Sequence, residues 1–408
     1  MKIDITSQEY FRDPAAATAR IRSLGPLVQI RFPIIGKVWI TTTQEFAGRV
    51  LKDSQTFTLR KDGRIAGLGW WMPGVIRAIA NNMLTIDEPD HTRLREIVDE
   101  AFRRRAILDI EPRIRAIADE LADRLFDSGS PAELIDRYAR QVPLTVICEL
   151  LGLPPADRPK FIAWTRGFTR LTGVVGFFKV VPAMSAMKRY LEQQLHDVRE
   201  TGGEGLIAEL VRVEQEGGRI TPEEMVAMVF LLLGAGTETT THLISGAAFE
   251  LMREPRLRDW LRADWSRANL AVEEMLRFVS PVQFSKPRFV RQDIELGGVQ
   301  LKKGEKVMAM LAAANMDPEA NEHPDRIDLT RRPNCHLAFG TGIHFCLGHQ
   351  LARIEAKCAL AALFTRWPDL ALAVSAADIR WLERPGLRAV RELPVISSLT
   401  VASAAVDA

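Results

Sequence analysis

Apolar positions recur three and four apart through most of residues 88–285, as in Thr92 to Phe102, Ile107 to Phe126 and Leu134 to Leu151. That spacing draws one apolar stripe along a helix. Two stretches break the period. Near the start, Leu27 to Phe32 and Val38 to Thr42 are β-rich runs separated by Pro33 and Gly36, the pattern of a hairpin. Later, Lys286 to Val290, Ile294 to Leu296, Val299 to Leu301 and Val307 to Leu311 are divided by the turn signals Gly297-Gly298 and Lys303-Gly304. The expectation is a mainly α fold with small peripheral β-sheets. No Gly/Ser linker, low-complexity tract or repeat marks a boundary, so residues 1–408 read as a single domain.

One helix stands out. Thr221 with Glu224 three residues on forms a capping box, Pro222 suits the first helical position, and the pattern runs to about Arg253, ahead of Pro255. Such a helix is roughly 48 Å long at 1.5 Å per residue, and its uncharged middle implies that it crosses the core. The run Met225 to Gly236 is shorter than the roughly 20 apolar residues of a membrane span. No membrane anchor is expected, and Met1 to Asp13 lacks the basic and apolar regions of a secretory signal.

Composition adds exclusions. The 408 residues are 47% hydrophobic and 26% charged, which is globular. Lys and Arg total 54 against 52 Asp and Glu, so a net charge of +2 offers no global attraction to nucleic acid or an anionic membrane. Cys148, Cys335, Cys346 and Cys358 show neither paired metal spacing nor a disulfide-dense pattern. A reducing, cytoplasmic compartment fits.

The candidate chemistry begins at Phe339-Gly-Thr-Gly-Ile-His-Phe-Cys346-Leu-Gly348, followed by the helical run from His349 to Arg353. Gly340, Gly342 and Gly348 permit tight turns and the close approach of a flat ligand. Phe339 can cover the sulfur, and the start of a helix favours a thiolate at Cys346, the state an iron ligand needs. Two rival readings make Cys346 a small buried hydrophobe, or a nucleophile with His344 as its base. The second is disfavoured because neighbours two apart rarely aim together at a substrate.

Inside the long helix stands Ala235-Gly236-Thr237-Glu238-Thr239. Glycine costs about 1 kcal/mol relative to alanine within a helix, and the approach of a large ligand would explain Gly234 and Gly236. Thr239 can return its hydroxyl to a carbonyl one turn earlier. Glu238 is the first charge after the apolar run; alternatively it simply emerges at the surface. In Val272-Glu-Glu-Met-Leu-Arg277, Glu274 and Arg277 share a helix face.

Taken together and in this order, these motifs resemble the cytochrome P450 family, in particular its bacterial members without a membrane anchor, and the resemblance covers nearly the whole chain. Phe339, Gly340, Gly342, His344, Cys346 and Gly348 match the family's cysteine signature. The resemblance implies haem b, iron protoporphyrin IX, between the long central helix and the cysteine loop. Cys346 would be the proximal ligand, Phe339, Gly340 and Gly348 would frame it, and Ala235 and Gly236 would approach from the distal side. Glu238 and Thr239 would then serve dioxygen there. His91, Arg95, Arg288 and His344 match residues that hold the propionates, and Arg326 matches a residue that clamps the Glu274–Arg277 pair.

The implied activity is a monooxygenase that hydroxylates or otherwise oxidises an apolar small molecule with dioxygen. No flavin or nicotinamide fingerprint appears, so electrons would come from a ferredoxin with its ferredoxin reductase. Arg103, Arg104, Arg105 and Arg353 form a docking patch or merely a solvated helix end. Candidate substrate-facing residues are Trp70 and Trp71 in Leu68 to Met72, Leu232, Ala235, Val282, Phe284, Val395 and Ile396. Phe161 to Met187, with Trp164, Phe168, Phe177 and Phe178, reads as a roof whose Arg166, Arg170 and Lys179 either engage an acidic substrate or face water. A haem sensor or carrier and a peroxide-driven haem enzyme are the rival functions, and neither needs Glu238 beside Thr239.

Overall fold

A computed structural model describes residues 4–33, 35–65, 73–104, 110–169, 173–217 and 219–399. The early hairpin forms as its pattern predicts. Strand Leu27–Phe32 runs antiparallel to Gly36–Thr41, from Leu27 opposite Thr41 to Phe32 opposite Gly36. Strand Lys306–Ala309 joins parallel to Gly36–Thr41, and Arg288–Val290 and Phe57–Thr58 complete a five-stranded sheet. Ile294–Leu296 and Val299–Leu301 make a separate hairpin whose turn places Gly297 and Gly298 at φ +57° and +76°. That left-handed pair is the reason for two glycines.

The helix predicted from the capping box spans Pro222–Arg253, 32 residues, with both reciprocal cap bonds present. Thr221 accepts from the Glu224 N–H at 3.2 Å, and Glu224 accepts from the Thr221 N–H at 2.9 Å. Among the described residues it is the one helix long and apolar enough to cross a membrane, yet 61% of its most apolar stretch is buried. Its apolarity serves the core. Helices Gln141–Leu151, Gly173–Thr201, Ala268–Val279 and His349–Arg366 pack around it. A Cβ on Gly246 would fall 2.5 Å from Val279 Cγ1, so this glycine sets how closely Ala268–Val279 crosses the central helix.

One periodic run divides where the sequence reads as continuous. Leu134 to Leu151 opens with a π turn, Ile135–Ala139, before Gln141–Leu151. There the Glu133 carboxylate accepts from the N–H groups of Ile135 and Asp136 and holds the entry apart. Phe161 to Met187 falls on two helices, Arg158–Thr169 and Gly173–Thr201.

The Glu274–Arg277 pair lies at the centre of the carboxyl half, both side chains at 0% exposure. Glu274 accepts from Arg277 Nε and Nη2 at 2.9 and 2.8 Å, from Arg331 Nε at 3.0 Å, from Asn334 at 3.0 Å and from the Asp328 N–H at 2.9 Å. Arg277 donates onward to the carbonyls of Asn315, Pro324 and Arg326. The expected third member was Arg326, but it supplies only a backbone carbonyl. The clamping guanidinium is that of Arg331, because the turn after Asp328 carries Arg331 back onto the carboxylate.

Candidate active site

The cysteine loop is held from both ends. Cys346 donates its N–H to the Phe339 carbonyl at 3.0 Å, and Gly348 caps helix His349–Arg366. Gly342, at φ +78°, could not carry a Cβ, which would sit 2.5 Å from the Leu51 carbonyl oxygen; the loop is pressed there against its neighbour. At Gly340 and Gly348 a Cβ would meet nothing within 4 Å, so the loop fronts open space. Burial pushes the Cys346 thiol pKa up, against the Gly348 N–H and the charges of Arg95 and Arg353, which pull it down. The helix start thus favours a thiolate through the Gly348 N–H, as expected, and burial opposes it more strongly.

Arg353 is committed elsewhere than to docking. Its guanidinium lies 4.5 Å from the Phe339 ring centroid and donates to Glu273 at 2.6 and 2.8 Å. Burial would raise the Glu273 pKa, but bonds from Arg353 and His336 outweigh it and hold this carboxyl at about 2. The side chains of Arg103 and Arg104, and all of Arg105, lie outside the described residues.

The four basic residues expected around the propionates come together. His91, 2% exposed, meets His344 edge to face with ring centroids 4.2 Å apart. Both ring nitrogens of His91 and Nε2 of His344 are buried without a hydrogen-bond partner. Burial, followed by the positive charges of His91, Arg288 and Arg95, lowers the His344 pKa to about 3. Arg288 is 3% exposed, and its guanidinium has no hydrogen bond or ion pair among the described residues. Arg95 donates to the Phe345 carbonyl at 2.7 Å and to Asp99 at 3.0 Å, which ties it to the loop. Buried donors without acceptors are costly. A ligand carrying two carboxylates fits this set.

On the central helix, Thr239 donates its hydroxyl to the Ala235 carbonyl at 2.6 Å, as its position predicts. Ala235 is exposed in the middle of an otherwise buried helix, and a Cβ on Gly234 would meet nothing within 4 Å. This is the open side. Gly236 is half-buried, and a Cβ there would make an ordinary contact with Ile147 at 3.7 Å. Glu238 does not stand free: it forms an ion pair with Arg384.

Arg384 was missed in the sequence, and so was its loop. Residues 384–388 fold back on residues 281–283 through Gln283 N–H to the Gly386 carbonyl at 3.0 Å, Arg388 N–H to the Pro281 carbonyl at 2.8 Å, and a bridge between Val282 and Leu387. Pro385-Gly386, with Gly386 at φ +83°, was the available signal. The expected substrate-facing pair Val395 and Ile396 instead lies in strand Pro394–Ile396, paired with Ala371–Leu372 and Ala132–Glu133. Val395 is 0% exposed and so lines no open space, while Ile396 is 41% exposed. Phe284 packs edge to face on Phe32 at 5.5 Å and is buried. Leu232 and Val282 are half-buried, and Trp70 and Trp71 lie outside the described residues.

Cytochrome P450 monooxygenase PikC of Streptomyces venezuelae is 37% identical over 390 residues, 95% of this chain and 92% of that protein. The chain belongs to the cytochrome P450 family. The family model for cytochrome P450 matches residues 179–368. A vitamin D(3) 25-hydroxylase of Pseudonocardia autotrophica is 38% identical over 398 residues, 96% of each chain. The crystal structure of a myxobacterial cytochrome P450 in complex with myristic acid superposes with a TM-score of 0.88 at 37% identity, over 96% of this chain and 98% of that one. As a P450 the protein is a haem-thiolate monooxygenase that oxidises a small organic substrate with dioxygen, with electrons from a redox partner. The unpartnered nitrogens of His91 and His344, the unpaired Arg288 and the open space at Gly340 and Gly348 fit the P450 cofactor.

Proposed function

We propose that this P450 binds haem b with Cys346 as its proximal thiolate, and hydroxylates or otherwise oxidises an apolar substrate held between the central helix and the loop Arg384–Leu387. The carrying observation is the set of buried basic groups left without partners beside the cysteine loop. Bound there, the haem supplies dioxygen activation, which a thiolate ligand favours by donating electron density.

The chain's own residues do the rest. Arg288, Arg95 and the neutral imidazoles of His91 and His344 hold the propionates by charge-assisted bonds. Phe339 and the glycine-framed loop keep water from the sulfur. Because the Thr239 hydroxyl donates to Ala235, its oxygen keeps lone pairs for an ordered water on the open side. Glu238, restrained by Arg384, delivers protons to that water when the ion pair opens. Ferredoxin with its reductase is the proposed electron source, in the cytoplasm, since the chain carries no flavin or nicotinamide fingerprint.

The test is optical. The reduced carbon monoxide complex should show the strongly red-shifted Soret band of thiolate ligation, and Cys346→His should abolish it. Retention of that band by the variant would assign the ligand to another residue. Turnover with ferredoxin and reductase should far exceed turnover with hydrogen peroxide alone, and the reverse would remove the redox-partner assignment.

A further inference from the structure

Glu273 and Glu274 are neighbours on helix Ala268–Val279, so their side chains leave it about 100° apart and serve different parts of the fold. Glu274 closes the buried cluster with Arg277 and Arg331, whereas Glu273 turns to helix His349–Arg366 and to the segment that leads into the cysteine loop. It accepts from Arg353 Nε and Nη2 at 2.6 and 2.8 Å, a two-pronged bond, and it meets His336 Nε2 at 3.0 Å. The other ring nitrogen of His336, Nδ1, accepts from the Ala338 N–H at 3.3 Å, which assigns the ring proton to Nε2 and makes it the donor to Glu273.

Arg353 is fixed on every side. A guanidinium can only donate, so its third nitrogen, Nη1, bonds to His349 Nδ1 at 2.9 Å, and its central carbon lies over the Phe339 ring, 4.5 Å from the centroid. Phe339 is the residue whose carbonyl accepts the Cys346 N–H at 3.0 Å. One carboxylate therefore steadies Phe339 twice, through the cation over its ring and through His336 on the backbone just before it. Arg353 and Glu273 are 32% and 28% exposed, so water and salt screen them incompletely. Paired, they add almost no net charge beside the loop. Either one alone would add a full charge next to an iron that must take up an electron, and an added positive charge favours that uptake while a negative one opposes it.

We propose that Glu273 and Arg353 are positioning residues that set the reduction potential of the haem, by bracing Phe339 against the cysteine loop with a pair whose charges cancel there. The inference rests on the proposal that Cys346 binds haem, and it goes beyond that to how readily the haem accepts its electron.

The experiment is a spectroelectrochemical titration of the haem-loaded protein, unaltered and as Glu273→Gln, Arg353→Gln and the double variant. Glu273→Gln leaves the guanidinium unmatched and should raise the potential, changing the ferrous-to-ferric ratio at a fixed applied potential by about tenfold, which is ~59 mV for one electron. Arg353→Gln leaves the carboxylate unmatched and should lower the potential by a similar factor. The double variant should return close to the starting value. The opposite signs carry the test, because a loosened loop alone would move both single variants the same way. Shifts of one sign in both, a shift in neither, or a double variant displaced further than either single one would overturn the proposal. Loss of haem by both single variants would overturn it too, since the pair would then be a structural tie and nothing more. If one single variant keeps its haem, the sign of its own shift decides. The carbon monoxide band of the unaltered protein judges the haem reading separately: without the red-shifted band that reading fails, whereas a normal band with unshifted variants removes this inference alone.

Discussion

Two ionic clusters adjoin the cysteine loop, and they are finished differently. Around Glu274 the charged groups close within the protein, with only Asn334 Oδ1 left unpartnered: Arg277, Arg331, Asn334 and the Asp328 N–H converge on one carboxylate, and Arg277 spends its remaining donors on carbonyls. Around His91 only His91 and Arg288 are buried, with Arg95 and His344 half-buried, and among the described residues three ring nitrogens and the Arg288 guanidinium have no partner. The charges of the first cluster are matched as folded. The second is complete only with a ligand, so its cost in the empty protein is a measure of what the ligand must return.

Removing one partner from each cluster should therefore have opposite consequences. Glu274→Ala strands Arg277 and Arg331 without a counter-charge, at a cost of ~3–5 kcal/mol. Denaturant unfolding should show that loss in the haem-free protein as well as the loaded one, with poor haem retention following from a disordered loop. A fully loaded variant of unchanged midpoint would mean that the cluster contributes little.

Arg288→Met should leave the haem-free protein as stable as before, or more so, because a buried unpaired cation is replaced by an apolar chain of similar length. Haem transfer to an apomyoglobin acceptor should nonetheless accelerate about tenfold or more, matching the ~1.5–3 kcal/mol of a hydrogen bond to a charged group. If the haem-free variant were destabilised like Glu274→Ala, Arg288 would belong to the first kind of cluster.

The same contrast explains how far the sequence could be read. Features set by local chemistry were legible: the capping box of Pro222–Arg253, the hairpin at Leu27–Thr41, the Thr239 back-bond to Ala235, and the glycine-framed loop around Cys346. Contacts made by long side chains across the fold were not. Arg326 and Arg331 lie on the same irregular segment, and only the turn after Asp328 decides that the second reaches Glu274. Arg384 meets Glu238 across 146 residues, a pairing that no spacing rule reports. Val395 carried the right apolar character for a substrate wall, but strand pairing on both sides buried it and left the preceding loop to face Val282.

The smallest structural change should give the most selective functional one. Thr239→Ala removes one methyl and the hydroxyl that donates to the Ala235 carbonyl, an acceptor that stays in the helix, so stability should fall by ~1 kcal/mol. Substrate affinity and the haem spectrum should not move. What is lost is the oxygen atom that anchors a water on the open side, and with it the control over where protons go. Reductant should still be consumed, but a larger share should leave as hydrogen peroxide and a smaller share as oxidised product. Glu238→Gln should act otherwise. It leaves Thr239 in place, frees Arg384 of its counter-charge, and slows proton delivery, so the overall rate should fall while product per reductant changes less. Assaying product, reductant and peroxide together for both variants separates the two roles. If Thr239→Ala kept its product ratio and released no extra peroxide, its hydroxyl would serve the helix alone, and the open side at Ala235 would be only a wall of the substrate space.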